Sequence, residues 1–287
     1  PQYVFPSLRP TAPSSTSMGL KRLEVDNWLT IDSQYYNEHT IRNSLLITRH
    51  AQVVQCLRGS EQACHEVLEL VTTFMSQRFP DDFTIVQTSH GPVIRNHITN
   101  ENFHIGADCP NPLEVAARLA MEDFNVLMKH TETGQYHLMA SATLFPAGWK
   151  LQERIGTSMD NLHKPVPEWK KNLGGSVNRY FDHLNPRTAM ERYNLFIQSS
   201  SHRFVDSPEV PRPGLAPEDL NIRRERQTFR RLERSNAVLF TVRTYMVPLV
   251  DIKGDEEAAL RQQVGSWEGA SRAYKGCKVW GEPFAAW

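Results

Sequence analysis

Over residues 60–78 apolar side chains return every three or four positions: Ala63, Val67, Leu70, Val71, Phe74 and Met75. That spacing is one face of a helix; Ser60 stands where an N-cap would, and Pro80 closes the segment. A shorter helix is predicted at 35–50, after an apolar patch at 28–31. FTIVQTS, VIRNHIT and NFHIGA are brief, alternate in polarity and are separated by Gly91 and Asn100, which predicts a strand meander. Residues 112–130, PLEVAARLAMEDFNVLMKH, carry the most regular helical stripe of the chain (Leu113, Ala116, Ala117, Ala120, Phe124, Leu127), with Pro112 in the first turn and Gly134 beyond the end. A strand is expected at 136–145, an irregular or short helical stretch after it, and a helix at 168–184 weakened by Gly174 and Gly175. Three strands follow at 190–198, 222–232 and 237–249, the first two separated by a Pro-rich loop, and DEEAALRQQV predicts one more helix. Strands grouped rather than alternating with helices point to an α+β fold with an antiparallel sheet and flanking helices.

Composition narrows the partners. Of 287 residues 40% are hydrophobic, enough for a substantial core, and 32 Lys and Arg balance 32 Asp and Glu. No net field draws the molecule to nucleic acid or an anionic membrane, so neither is an expected partner. Cys56, Cys64, Cys109 and Cys277 are scattered, without the spacing of an iron–sulfur or structural zinc motif, and suit a reducing compartment. No apolar run reaches the roughly 20 residues of a membrane span. Residues 1–20 are rich in Pro, Ser and Thr and lack the apolar core of a signal peptide, so a flexible or draped lead-in and an intracellular, cytoplasmic protein are expected.

Candidate chemistry is sparse. There is no GxSxG elbow, P-loop, GxGxxG after a strand or HExxH helix, and Glu122 and Asp123, adjacent on the predicted helix, would not share a face as an acid–base pair. Two features remain. In NLHKPVPEW, residues 161–169, Pro165 and Pro167 pin the backbone beside His163, which suits a ligand and a structural corner alike. In the strand at 222–232, Arg224, Arg226, Thr228 and Arg230 point one way and Glu225, Gln227 and Phe229 the other. Such a strand is either a solvated edge or a guanidinium clamp for carboxylates or phosphates. The apolar AVLFTVRTY that follows favours the clamp, because it must be central and pairs with the Arg-rich strand.

LKRLEVDNWLTID, MEDFNVLMKH, YHLMASATLFPAGWKLQERIGTSMDNLHKPVPEW, ERYN and RRERQTFRRLERSNAVLFTVRTYMVPL, in this order and spacing, resemble the haem-dependent oxidative N-demethylase alpha-subunit family over residues 20–280. The resemblance implies a single PAS-like haem-binding domain over 21–287 with helical N- and C-terminal extensions, after the lead-in of 1–20. It implies haem b as cofactor, O2 and a small methylated amine such as dimethylamine as reactants, and formaldehyde as product. Electrons would come from NADPH through FMN and a 2Fe-2S centre of a separate reductase partner.

The family's I-H-x-P-V-P block falls on 162–167, which makes His163 the implied iron ligand, with His183 and His137 as fallbacks. Its R-x-E-R-Q-T-L-R-R-L-P block falls on 223–233, which assigns Arg224, Arg226 and Arg230 to the haem propionates. Glu225 and Gln227 would then face the distal pocket, Glu225 to hold a protonated amine and Gln227 to donate to iron-bound oxygen. Two departures stand out: Leu195 where the family has tryptophan, and Leu232-Glu233-Arg234-Ser235-Asn236 where it has L-P-x-S-G, Asn236 in place of the glycine being compatible with a positive φ.

Overall fold

The structure, a computed structural model, describes residues 5–8, 19–167, 169, 174–267 and 269–287. Strand β1 (Lys21–Arg22) precedes helices α1 (Tyr35–Thr48) and α2 (His50–Val53), strand β2 (Val54–Cys56) and helix α3 (Glu61–Arg78). The helical stripe predicted at 60–78 is the buried face of α3: Ala63, Val67, Val71 and Met75 lie in the main core. Burying side chains of the size of Val67, Val71 or Met75 stabilises by about 1.5–3 kcal/mol each. Ser60 occupies the N-cap position, yet its hydroxyl donates to the Leu57 carbonyl (2.6 Å) instead of capping a helix N–H. Strands β3 (Phe83–Thr88), β4 (Gly91–Asn96) and β5 (Glu101–His104) form the expected meander as a separate three-stranded sheet.

The helix predicted over 112–130 is corrected by the structure. Helix α4 covers Pro112–Leu119 only; Ala120 turns extended (φ −108°, ψ 165°), and Glu122–Lys129 is strand β6. The first six residues of β6 are buried on both faces, since the strand lies inside the sheet between β10 and β7. A doubly covered strand shows no two-residue alternation, and its apolar residues happen to extend the helical stripe before it. Glu122 and Asp123 therefore point to opposite sides of a sheet rather than along a helix.

Strand β7 (Tyr136–Ala142) pairs with β6, then come helices α5 (Met159–Leu162) and α6 (Gly174–His183). The predicted start of that last helix at 168 lies in part outside the described residues. The closing strands are β8 (Met190–Gln198), β9 (Asn221–Arg231) and β10 (Val238–Pro248), followed by helices α7 (Asp255–Gly265), α8 (Gly269–Tyr274) and α9 (Cys277–Ala286). The seven-stranded antiparallel sheet runs β1-β8-β9-β10-β6-β7-β2. The Arg-rich strand β9 is thus interior, hydrogen-bonded to β8 on one side and β10 on the other.

Its two faces meet different surroundings. Arg223, Glu225, Gln227 and Phe229 share one face, and in register with them stand Arg192 and Asn194 of β8 and Phe240 and Thr244 of β10. Helices α5 and α6 cover part of this face through a cluster of Met159, Trp169, Val177, Phe181, Val238 and Leu127, against which Phe229 and Phe240 pack half-buried. The opposite face presents Arg224, Arg226, Thr228 and Arg230 toward Trp28 and the described residues 5–8. Leu195 packs on that opposite face with Ile222, Leu260 and Trp280 in a third cluster, so this position bears on how the C-terminal helices dock.

Candidate functional site

His163 follows the single turn of α5, and successive turn bonds carry the chain on: His163 N–H to the Met159 carbonyl (3.1 Å) and Val166 N–H to the His163 carbonyl (2.8 Å). Pro165 and Pro167 fix φ along this stretch. The imidazole is held at two places. Its Nδ1 bonds the Met159 carbonyl at 3.0 Å, and its ring stacks on Trp169 with centroids 3.9 Å apart and planes 10° from parallel. Trp169 is itself fixed, its Nε1 donating to Asp160 Oδ1 at 3.0 Å, while Asp160 Oδ2 accepts from Gln135 (3.1 Å). Because a carbonyl can only accept, Nδ1 carries the proton and Nε2 keeps its lone pair. Burial, with help from the Arg192 and Arg154 charges, pushes the His163 pKa down to about 4, so the ring is neutral near pH 7.

On the same sheet face a hydrogen-bonded chain crosses the strands. Arg223 Nε donates to Glu225 Oε1 (3.0 Å), Gln227 Nε2 to Glu225 Oε2 (3.0 Å), and Arg192 Nε to Gln227 Oε1 (2.7 Å). Both carboxylate oxygens of Glu225 and the amide oxygen of Gln227 are therefore engaged within the protein. Lys275, just past α8, reaches this face and donates to Asn194 Oδ1 (2.8 Å) and the Leu195 carbonyl (2.6 Å). Burial pushes its pKa down to about 8, against the pull of Glu225. Arg154 donates to the Leu162 carbonyl (2.9 Å) and lies over the Trp149 ring (4.8 Å).

Aromatic rings pack on the same face as these groups. Phe229 and Phe240 stack across the strands at 5.0 Å, and Tyr180 of α6 stands edge-on to Phe229 (6.4 Å, 90°). The Tyr180 hydroxyl is buried with no hydrogen-bond partner among the described residues, and burial pushes its pKa up to about 12. An orphaned hydroxyl beside half-buried phenylalanines marks a place where a ligand atom would be accepted.

The structure sorts the sequence-derived site residues by face. His163, Glu225 and Gln227 fall on the same side of the sheet, with Arg192 between them in charge and register. Arg224, Arg226 and Arg230 are on the other side and have partners there. Arg224 lies over Phe5 (4.1 Å), bonds the Pro6 carbonyl and is 3.6 Å from Glu256. Arg226 pairs with Glu191 Oε2 (2.7 Å) and bonds the Trp28 carbonyl (3.3 Å), while Arg230 lies over the Trp28 ring (5.1 Å).

Of the alternative histidines, His183 is exposed at the end of α6, its Nδ1 bonded to the Arg179 carbonyl (2.7 Å). His137 is held to the Gly156 carbonyl (3.0 Å) with a buried, unpartnered Nε2, but in β7 it stands beside Met128, on the face away from Leu127 and Leu138 and thus away from Phe240. Arg192, Arg154, Tyr180 and Lys275 were not singled out from the sequence. Arg192 alone left a signal there, since pairing the closing strands antiparallel sets it beside Gln227.

Fold and site together define the class: an α+β protein on an antiparallel sheet, with an uncharged imidazole, stacked phenylalanines and buried cations gathered on one face. The chain belongs to the haem-dependent oxidative N-demethylase, alpha subunit-like family, whose family model matches residues 19–285. The match takes in His163, Arg192, the β9 chain and Lys275 alike. Among the described residues no helix is long and apolar enough to cross a membrane.

Proposed function

We propose that this chain is the haem-carrying subunit of an oxidative N-demethylase acting on a small methylated amine, and that His163 would hold the haem iron through Nε2. The observation that carries the proposal is the geometry of that imidazole: its Nδ1 proton is committed to the Met159 carbonyl, and its Nε2 has no partner among the described residues. A hydrogen bond from the far ring nitrogen to a carbonyl is what orients a metal-ligating histidine and raises its basicity. No cluster of three or more His, Cys, Asp or Glu side chains forms a metal cage among the described residues, and a haem iron asks for only one such ligand. The surroundings fit a flat, largely apolar dianion: Phe229, Phe240, Trp149 and Met190 are half-buried beside the cluster under α5 and α6. Arg154, Arg192 and Lys275 are cations beyond the Arg223–Glu225 pair, available to match two carboxylates. The three closing strands, preceded by a helical segment that offers the imidazole, also support a PAS-like arrangement.

When bound, haem supplies the dioxygen and one-electron chemistry that side chains lack, with electrons from NADPH through the FMN and 2Fe-2S centres of a separate reductase. The protein's part is binding and orientation. His163 holds the group from one side, and Trp169 and Asp160 keep its ring from rotating. Phe229 and Phe240 exclude water. Glu225 fixes Gln227, which in turn fixes Arg192, so both act as positioning residues for the guanidinium. The Tyr180 hydroxyl, buried without a partner among the described residues, can donate a hydrogen bond to a ligand.

Purified protein reconstituted with haem should show a Soret band, and His163→Ala should bind haem at least ~10-fold more weakly, with imidazole restoring the wild-type spectrum. Absence of the band, or unchanged iron coordination in the variant, would overturn the ligand assignment. Formaldehyde release from dimethylamine with NADPH and a reductase tests turnover; haem binding without it would leave a haem protein that binds or senses and does not demethylate.

A further inference from the structure

Two of the four cysteines meet at an edge of the large sheet, far along the chain from the residues around His163. Cys56 ends β2, opposite Ala140 of the edge pairing with β7, and is exposed. Cys64 lies in the first turn of α3 and is 1% exposed. The connection between them is a tight turn: Ser60 N–H bonds the Leu57 carbonyl (3.1 Å), and Gly59 takes φ 95°, which a side chain would resist. The two sulfurs are left 3.8 Å apart, with the Cys64 thiol donating to Cys56 Sγ. A disulfide bond is about 2.05 Å long, so closing it needs an approach of less than ~2 Å, within reach of side-chain rotation.

We propose that Cys56 and Cys64 form a peroxide-reactive dithiol, in which Cys56 is attacked by the oxidant first and Cys64 resolves it to an intramolecular disulfide pinning the end of β2 to the first turn of α3.

The asymmetry of the pair assigns the roles. Cys56 is open to solvent, and the thiol proton that Cys64 offers it stabilises its thiolate, drawing its pKa below the ordinary value against burial and the Glu61 carboxylate. The same bond, with burial, pushes Cys64 up, so the inner thiol stays protonated until needed. In the first step the Cys56 thiolate displaces hydroxide from hydrogen peroxide. An S–O bond forms, the O–O bond breaks, and protonation of the hydroxide releases water and leaves a sulfenic acid. In the second step Cys64 sulfur attacks the Cys56 sulfur. The S–S bond forms, and the sulfenic hydroxide leaves with the Cys64 proton as a second water. Two thiols thus give two electrons to one peroxide. Cys109 is buried and Cys277 accepts a bond from Arg272 Nε (3.0 Å), and neither has a second thiol in contact among the described residues.

The full chain, reduced and then treated with a small excess of hydrogen peroxide, should lose two of its four free thiols and two hydrogens in mass, with Cys56 and Cys64 joined on peptide mapping. Cys56→Ser should abolish the loss. Cys64→Ala should leave a sulfenic acid on Cys56 that a cyclic 1,3-dione captures, absent from the wild type. Brief alkylation of the reduced chain should mark Cys56 at least ~10-fold faster than Cys277. The proposal is overturned if all four thiols survive, if Cys109 or Cys277 is oxidised ahead of Cys56, or if the product is a cross-linked dimer. Should the Cys64 variant fail to fold, the wild-type thiol map and Cys56→Ser decide the matter between them.

Discussion

Glu225 and Gln227 have the chemistry to bind an amine and to donate to oxygen, and in the fold they bond each other, Arg223 and Arg192. Tyr180, with nothing in its sequence to distinguish it from any helix tyrosine, has a buried hydroxyl without a partner among the described residues. An unsatisfied buried hydroxyl destabilises the protein without ligand, so Tyr180→Phe should raise stability by about 1 kcal/mol in urea unfolding. In haem-loaded, ferrous protein the same variant should shift the carbon monoxide stretching frequency while haem content stays constant. A variant that loses stability and leaves that frequency unmoved would remove Tyr180 from the site. The sequence marked the backbone at His163 through two prolines, a pattern that suits a ligand and a structural corner alike, but gave no sign of the carbonyl and the indole that hold its ring.

At the scale of an element, the two glycines that open α6 look alike in sequence and differ in the fold. A Cβ on Gly174 would lie 2.9 Å from Asp160 Oδ1 and 3.0 Å from Trp169 Nε1, across the bond that steadies the His163 ring, whereas a Cβ on Gly175 would meet nothing within 4 Å. Gly175→Ala should therefore stabilise by about 0.5–1 kcal/mol through the lower backbone entropy of the unfolded chain. Gly174→Ala should instead cost about 1–3 kcal/mol by overpacking, and weaken haem retention as the Asp160–Trp169 bond is pushed apart. Thermal melts and a haem titration of both variants check the pair; equal behaviour would mean that the indole does not support the imidazole. The β9–β10 turn was legible in part: Asn236 takes φ 55°, the conformation that asparagine tolerates and most residues do not, while the bonds of Arg234 and Ser235 N–H to Glu66 of α3 left no signal. The segment 112–130 was not, because its second half is a strand covered on both faces and carries no alternation to betray it.

Across the whole molecule, charge is distributed between the two faces of one sheet. On the face away from His163, Arg243 of β10 is 1% exposed and pairs with Glu38 of α1 (2.7 Å) and Asp32 ahead of it (2.8 Å), tying the N-terminal helix to the central strands. Removing one partner of such a buried pair strands the other, so Arg243→Met should cost about 3–5 kcal/mol in urea unfolding. Because Arg243 is opposite the proposed haem face, the Soret band of the folded variant should keep its position; a displaced band would tie the network to the cofactor. The sequence by itself determined the α+β class, the position of most elements, the central place of the Arg-rich strand and the pinned histidine, because helical stripes, proline and turn residues act locally. It also determined which β9 residues share a face. Only the tertiary structure decided which face meets the imidazole, and so set Arg192 and Arg154 beside His163 and gave Arg224, Arg226 and Arg230 to Phe5, Glu191 and Trp28. The physical reason is that a two-residue period fixes sides relative to one another, while the choice of side depends on strand pairing and on helices far away in the chain.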